Sequence, residues 1–201
     1  VPFSITGGDR IMGRIVLAGL IGGIAMFIWS SLAHTVLPLG ETGLDMVRPD
    51  SAVAATLQGE LGDKTGLYGF PGVGGDPHRD EAAMAAMTEK MKTGPSGLIV
   101  YHQAGYNPGM GSLMGKELVL EIVQSLILAW LLTRLAVSGL GGRTAAAALV
   151  GVAVGISTNG SYWTWWGFPT DYTVASVIIQ IVGYTVAGLV IALVLGWKKK
   201  A

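Results

Sequence analysis

Three stretches of this chain, residues 15–37, 144–161 and 172–197, contain no Asp, Glu, Lys or Arg. No other feature constrains the fold as strongly. An α-helix needs ~20 apolar residues to cross the hydrocarbon of a bilayer, and each stretch reaches or approaches that length. A fourth stretch, 118–137, is apolar apart from Glu121, Gln124, Ser125, Thr133 and Arg134. A soluble domain averages about 25% charged residues, whereas this one has 13%. A chain of 201 residues is too short to hide four apolar helices in a core of its own. The expected fold is an all-α membrane protein, a bundle of four transmembrane helices at about 13–37, 113–137, 144–162 and 172–197. Residues 38–112 are expected to form a small extracytoplasmic α+β cap, and 1–201 a single membrane domain.

Net charge is zero, which removes the electrostatic case for a nucleic-acid partner. The absence of cysteine excludes disulfides, thiolate metal sites and thiol catalysis. Arg10 and Arg14 precede the first apolar run, and Ser31-Leu32-Ala33 resembles a signal-peptide cleavage site. We expect this segment to be retained as an anchor helix, since residues from Val1 are present. A start at Val is what a trimmed N-terminus gives.

Lys and Arg near helix ends set orientation. Arg10, Arg14, Arg134, Arg143 and Lys198 to Lys200 fall on one side of the expected bundle. The short connection 159–171 on the other side has no Lys or Arg, and the long loop 38–112 has five against nine Asp and Glu. Both termini are therefore expected in the cytoplasm, in a bacterial inner membrane.

The short connection holds the aromatic run Ser161-Tyr162-Trp163-Thr164-Trp165-Trp166. Trp and Tyr gather at the water–lipid boundary because the ring prefers the apolar side and its N–H or O–H the wet side. Trp163, Trp165, Trp166 and Tyr172 fit an outer belt, and Trp197 before three lysines fits an inner one. A stacking platform for a quinone or pigment and packing against the long loop are the other two readings.

The loop 38–112 is too long for a bare connection. Asp50-Ser51 can cap a helix to about Leu61. Asp76-Pro77 can open a second through Met91, with Asp80 and Glu81 in its first turn. Met84, Met87 and Met91 then share one soft face, suited first to core packing and second to a partner. Strands at 67–71 and 98–102 can pair beneath these helices.

The chain has 31 glycines, about twice the usual share. Gly19 and Gly23 in the first helix, Ala147, Gly151 and Gly155 in the third, and Gly183 and Ala187 in the fourth are spaced by four. Small residues at this spacing let membrane helices approach closely. One such face more than the bundle needs would be left for a neighbouring subunit.

Ionisable groups within membrane segments are costly and are functional candidates. Glu117, Glu121 and Gln124 share one face of the second helix. With His34, at the end of the first, and Asn159, at the end of the third, they can form one polar cluster below the outer surface. The cluster can serve a metal, a proton or ion path, or a pigment, or it can be structural hydrogen bonding. Its spacing is not a known ligand motif, since Glu-x3-Glu lacks the His of di-iron bundles, so no metal is assigned. Gly72-Val73-Gly74-Gly75 leads to Asp76-Pro77 and is no phosphate loop. No catalytic constellation is present.

Phe27-Ile28-Trp29 followed by Leu37-Pro38, then Tyr68-Gly69-Phe70-Pro71, Gly94-Pro95-Ser96-Gly97 and Trp166-Gly167-Phe168-Pro169 occur in that order. In this the chain resembles a group of uncharacterised bacterial four-helix inner-membrane proteins. The resemblance implies a topology and no activity. The expected role is a non-enzymatic accessory or structural subunit of a respiratory or photosynthetic membrane complex, in contact with lipid and with other subunits. The alternative is a small-solute or ion carrier that uses the Glu/His cluster near the outer face. No cofactor is assigned; pigment, quinone and lipid are the candidates.

Overall fold

In the computed structural model residues 7–196 are described, with side chains from Ile11 onward. The chain is mostly helical and divides into two compact units, Val1–Leu44 with Pro108–Ala201, and Asp45–Asn107. The second unit takes up most of the long loop.

The first unit holds four long helices. They are α1 (Gly7–Thr35), α4 (Met110–Arg134), α5 (Gly139–Trp166) and α6 (Thr170–Gly196). Three of them have spans apolar and long enough to cross a membrane: Ile11–Thr35 in α1, and all of α5 and α6. They fit a multi-pass membrane protein. Helix α4 is as long but more polar, because Lys116, Glu117 and Glu121 crowd its first half and Arg134 ends it.

Helix α1 packs against α4 and α6, and α6 packs against both α1 and α5. All four meet toward the Arg14 end. There Ile15 and Ala18 of α1, Leu128 and Leu132 of α4, Ala147 of α5, and Ala187 and Ile191 of α6 form one apolar core. The same end is tied by Arg14, whose Nη2 donates to the carbonyls of Val194 (3.1 Å) and Leu195 (2.8 Å). Those carbonyls lie in the last turn of α6, where the helix supplies no further donors, so a cation there satisfies both charge and hydrogen bonding.

The glycine faces lie inside the bundle. A Cβ on Gly19 would stand 2.8 Å from Leu126 Cα, and one on Gly23 2.6 Å from Ile122 Cα. These two glycines let α1 lie directly on α4. Gly22, not singled out from sequence, is closed by Ser125 and Ile191. Gly151 faces Tyr184 and Ile181, and Gly155 faces Val177, so the small face of α5 lies on α6. Gly183 faces Met26 and Trp29 of α1. The small-residue faces singled out from sequence thus lie on neighbouring helices, whereas Gly111 and Gly115 of α4, also four apart, have nothing within 4 Å. The helices are arranged nearly in a row, and each junction in the row uses one of these faces.

Helix α5 runs to Trp166, four residues past the expected end, through a π-helical turn at Ile156–Gly160. Asn159 Nδ2 donates to the Gly155 carbonyl at 3.0 Å and Ser161 Oγ to the Ser157 carbonyl at 3.1 Å. Side chains that bond their own backbone locally compete with the regular ladder. Gly167 then adopts a left-handed conformation (φ 66°) and closes the helix.

In the second unit, α2 (Val53–Leu61) precedes strand β1 (Gly66–Phe70), and α3 (Glu81–Thr93) precedes β2 (Gly97–Tyr101). The strands pair antiparallel, with Gly66 opposite Tyr101 and Phe70 opposite Gly97. Helix α3 begins at Glu81, not at Asp76-Pro77. Asp76 instead accepts the His78 N–H and forms a turn of its own, while Asp80 caps the helix by accepting from Ala82 N at 2.9 Å. The methionine face also departs from its expected use in a core, since Met84 and Met91 are exposed. Ala83 and Tyr101 are the buried apolar residues here, and the Tyr101 hydroxyl donates to the Gly62 carbonyl at 2.8 Å.

Candidate functional site

Toward the His34 end, α1, α4 and α6 separate around a cavity of about 200 Å³. Its walls are Met26, Trp29, Ser30 and His34 from α1, Glu117, Glu121 and Gln124 from α4, and Ile179, Gln180 and Gly183 from α6. Four of the five residues expected to cluster are therefore brought together. The i, i+4, i+7 spacing of Glu117, Glu121 and Gln124 puts all three on the face of α4 toward α1.

Asn159 does not join them. It is on α5, which packs on α6, and its amide is engaged with Gly155. Helix α5 contributes nothing to the cavity wall.

Glu121 is the centre of the site. It is only 4% exposed, and its Oε2 has no hydrogen-bond partner. Ser30 of α1 lines the same cavity. Gln180 Oε1 on α6 is likewise buried without a partner. Gln124 Oε1, in contrast, accepts from the Tyr184 hydroxyl at 2.9 Å. Trp29 Nε1 donates to the Ile179 carbonyl at 2.9 Å. His34 is exposed, with Nδ1 2.8 Å from the Ser30 carbonyl and the ring packed on Gly40 of the turn after α1. Glu117 is exposed one turn before Glu121.

The result is a pocket in which two buried acceptors, Glu121 Oε2 and Gln180 Oε1, have no partner. A buried polar atom without a partner costs about 1–3 kcal/mol, so two unpaired oxygens on one cavity call for a donor that fits there. Among the described residues no group of three or more His, Cys, Asp or Glu is placed to hold a metal ion.

Sequence reasoning missed Trp29, Ser30 and Gln180 as wall residues. Gln180 carried a usable signal, as the one amide side chain inside the uncharged run 172–197. Trp29 carried a weaker one, lying some two turns from the end of its helix rather than at the boundary.

The aromatic run stands apart from this cavity. Trp163, Trp165 and Trp166 are 51%, 80% and 50% exposed. The rings of Tyr162 and Phe168 stack at 5.2 Å, and Phe168 meets Tyr172 edge-on at 5.6 Å. Trp163 Nε1 donates to Thr170 Oγ1 at 3.1 Å, which closes the turn into α6. Trp197 lies outside the described residues.

No protein family, curated protein or solved structure matches the chain.

Proposed function

We propose that this is a four-span membrane protein whose cavity binds, and carries, a small cation or hydrogen-donating solute. The observation that supports it is the buried Glu121 carboxylate with Oε2 unpaired against a cavity walled by three helices. An ionisable group held within membrane helices marks a pathway or a binding site.

Helix α4 serves as the fourth span in this reading. Its 25 residues cover ~37 Å at 1.5 Å per residue, and Glu121, its most central carboxylate, turns inward rather than to lipid. Lys116 and Glu117 sit within two turns of the helix start, where long side chains reach the interface. Arg14, Arg134 and Arg143 then lie on the cytoplasmic side, with both termini. The cavity opens in the outer half, Trp163, Trp165 and Trp166 anchor the outer boundary, and Asp45–Asn107 is an extracytoplasmic cap.

An accessory subunit of a larger complex is the competing reading. It draws on a spare small-residue face; the faces at Gly19 and Gly23, at Gly151 and Gly155, and at Gly183 lie on neighbouring helices, while Gly111 and Gly115 of α4 are open. The apolar core at the Arg14 end closes the cavity from below, so carrying requires a second arrangement in which α1 and α4 part there.

The test is reconstitution of the purified chain in liposomes with small organic cations and alkali-metal ions outside. Uptake that Glu121→Gln abolishes is the expected result. A chain that moves none of them and extracts only with a larger assembly returns the subunit reading.

A further inference from the structure

We propose that the solute is an amphiphile, a single alkyl chain with an ammonium head, entering sideways between α1 and α4. The inference rests on reading the cavity as a binding site and adds the class of ligand and its route. A groove of about 490 Å³ lies between the outer parts of these two helices. It shares Ser30, His34 and Glu117 with the polar cavity, so the two adjoin across these side chains. Its other walls are chiefly apolar: Phe27, Met110, Leu113 and Met114. Its size is within the ~300–1,000 Å³ of small-molecule sites.

The two spaces demand different chemistry. The cavity, at about 200 Å³, exceeds the ~150 Å³ void that takes up a benzene ring, so a compact head fits. Glu121 Oε2 and Gln180 Oε1 are both buried acceptors without donors. Trp29 and Tyr184 already donate elsewhere. No Lys or Arg lines the cavity, while Lys116 is on the groove wall. An ammonium supplies three donors and a positive charge to this set. A carboxylate or phosphate head would face Glu121 and Glu117 with like charge. The groove adds the second half of the argument. A hydrated cation passing it would lose water against Phe27, Leu113 and Met114 with nothing in return, whereas an alkyl chain gains there.

The experiment uses the full chain in phosphatidylcholine vesicles. A hexadecylamine with a diazirine in mid-chain and the matching carboxylate are photolysed in parallel, and the adducts are mapped by peptide mass spectrometry. We expect the amine to label Phe27, Leu113 and Met114 about tenfold more than the carboxylate, the gain of one charge-assisted contact. Glu121→Gln should reduce the amine to the carboxylate level, and Leu113→Trp should block labelling by filling the groove. Equal labelling by both probes in the unaltered chain overturns the proposal. In a second arm, butylammonium, which has the head and almost no chain, is titrated against thermal unfolding. A rise that Glu121→Gln removes, with no groove labelling by the long amine, overturns the amphiphile and leaves the cavity as a small-cation site. No rise and no labelling overturn both.

Discussion

The Tyr184 hydroxyl on α6 donates to Gln124 Oε1 on α4 across 2.9 Å. These two helices otherwise barely touch, so this bond ties the row of helices across its open side. It also removes Gln124 Oε1 from the set of unsatisfied acceptors on the cavity. Tyr184→Phe should keep the ring packing and add an orphaned oxygen. Hydrogen bonds between membrane helices average ~0.6 kcal/mol and reach ~1.7. We expect a loss of ~1 kcal/mol, seen as a lower unfolding midpoint in mild detergent and absent in Tyr184→Phe combined with Gln124→Leu.

The glycine contacts give a graded test. At Gly23 a Cβ would meet Ile122 Cα at 2.6 Å, and at Gly151 it would meet Ile181 Cα at 3.0 Å. Backbone atoms cannot step aside as a side-chain end can. Gly23→Leu and Gly151→Leu should each cost upward of ~1–3 kcal/mol, the range for overpacked cores. A Cβ on Gly13 or Gly115 would have nothing within 4 Å, so Gly13→Leu and Gly115→Leu should stay within ~0.5 kcal/mol. Thermal unfolding in one detergent ranks all four. A Gly151→Leu chain as stable as the unaltered one would mean that α5 does not lie on α6 as described.

Arg14 should hold the end of α6. Its guanidinium reaches two terminal carbonyls, and a cation at a helix C-terminus contributes ~0.3–1 kcal/mol. Arg14→Met keeps most of the stem and loses the charge. We expect faster hydrogen exchange confined to the last turn of α6, with the midpoint lowered by only a few degrees.

The sequence made the helices legible because three of them lack charge over their whole apolar length, a pattern that needs no knowledge of partners. The polar face of α4 was legible for the same reason, since Glu117, Glu121 and Gln124 repeat with the helical period. What could not be read was which helix lies opposite. Asn159 shares its depth with Glu121, but depth does not fix the neighbour, and α5 packs on the far side of α6. Gln180 and Ser30 entered the site through the same choice of neighbours. The start of α3 at Glu81 is not legible because Asp76 and Asp80 are equally good caps in sequence, and the turn at His78 decides between them.

The standing of α4 as a span can be settled by labelling, because the chain has no cysteine of its own. Ser112 lies in the first turn of α4 and Ser138 just past its end. If α4 crosses the membrane, cysteines at these two positions report opposite sides. Lys116, Glu117 and Glu121 make α4 the least apolar of the long helices, and an interfacial helix would place both positions on one side. Against that, Glu121 is buried against α1, and Gly19 and Gly23 of α1 lie on Leu126 and Ile122 of α4. A partner packed along a spanning helix over this length shares its tilt and depth. We therefore expect Ser112→Cys and Ser161→Cys to react with an impermeant maleimide from outside intact cells, and Ser138→Cys to react only after permeabilisation, as the Arg134 and Arg143 bias requires. Labelling of Ser112→Cys and Ser138→Cys from the same side would remove the fourth span, and with it the placement of Glu121 within the bilayer.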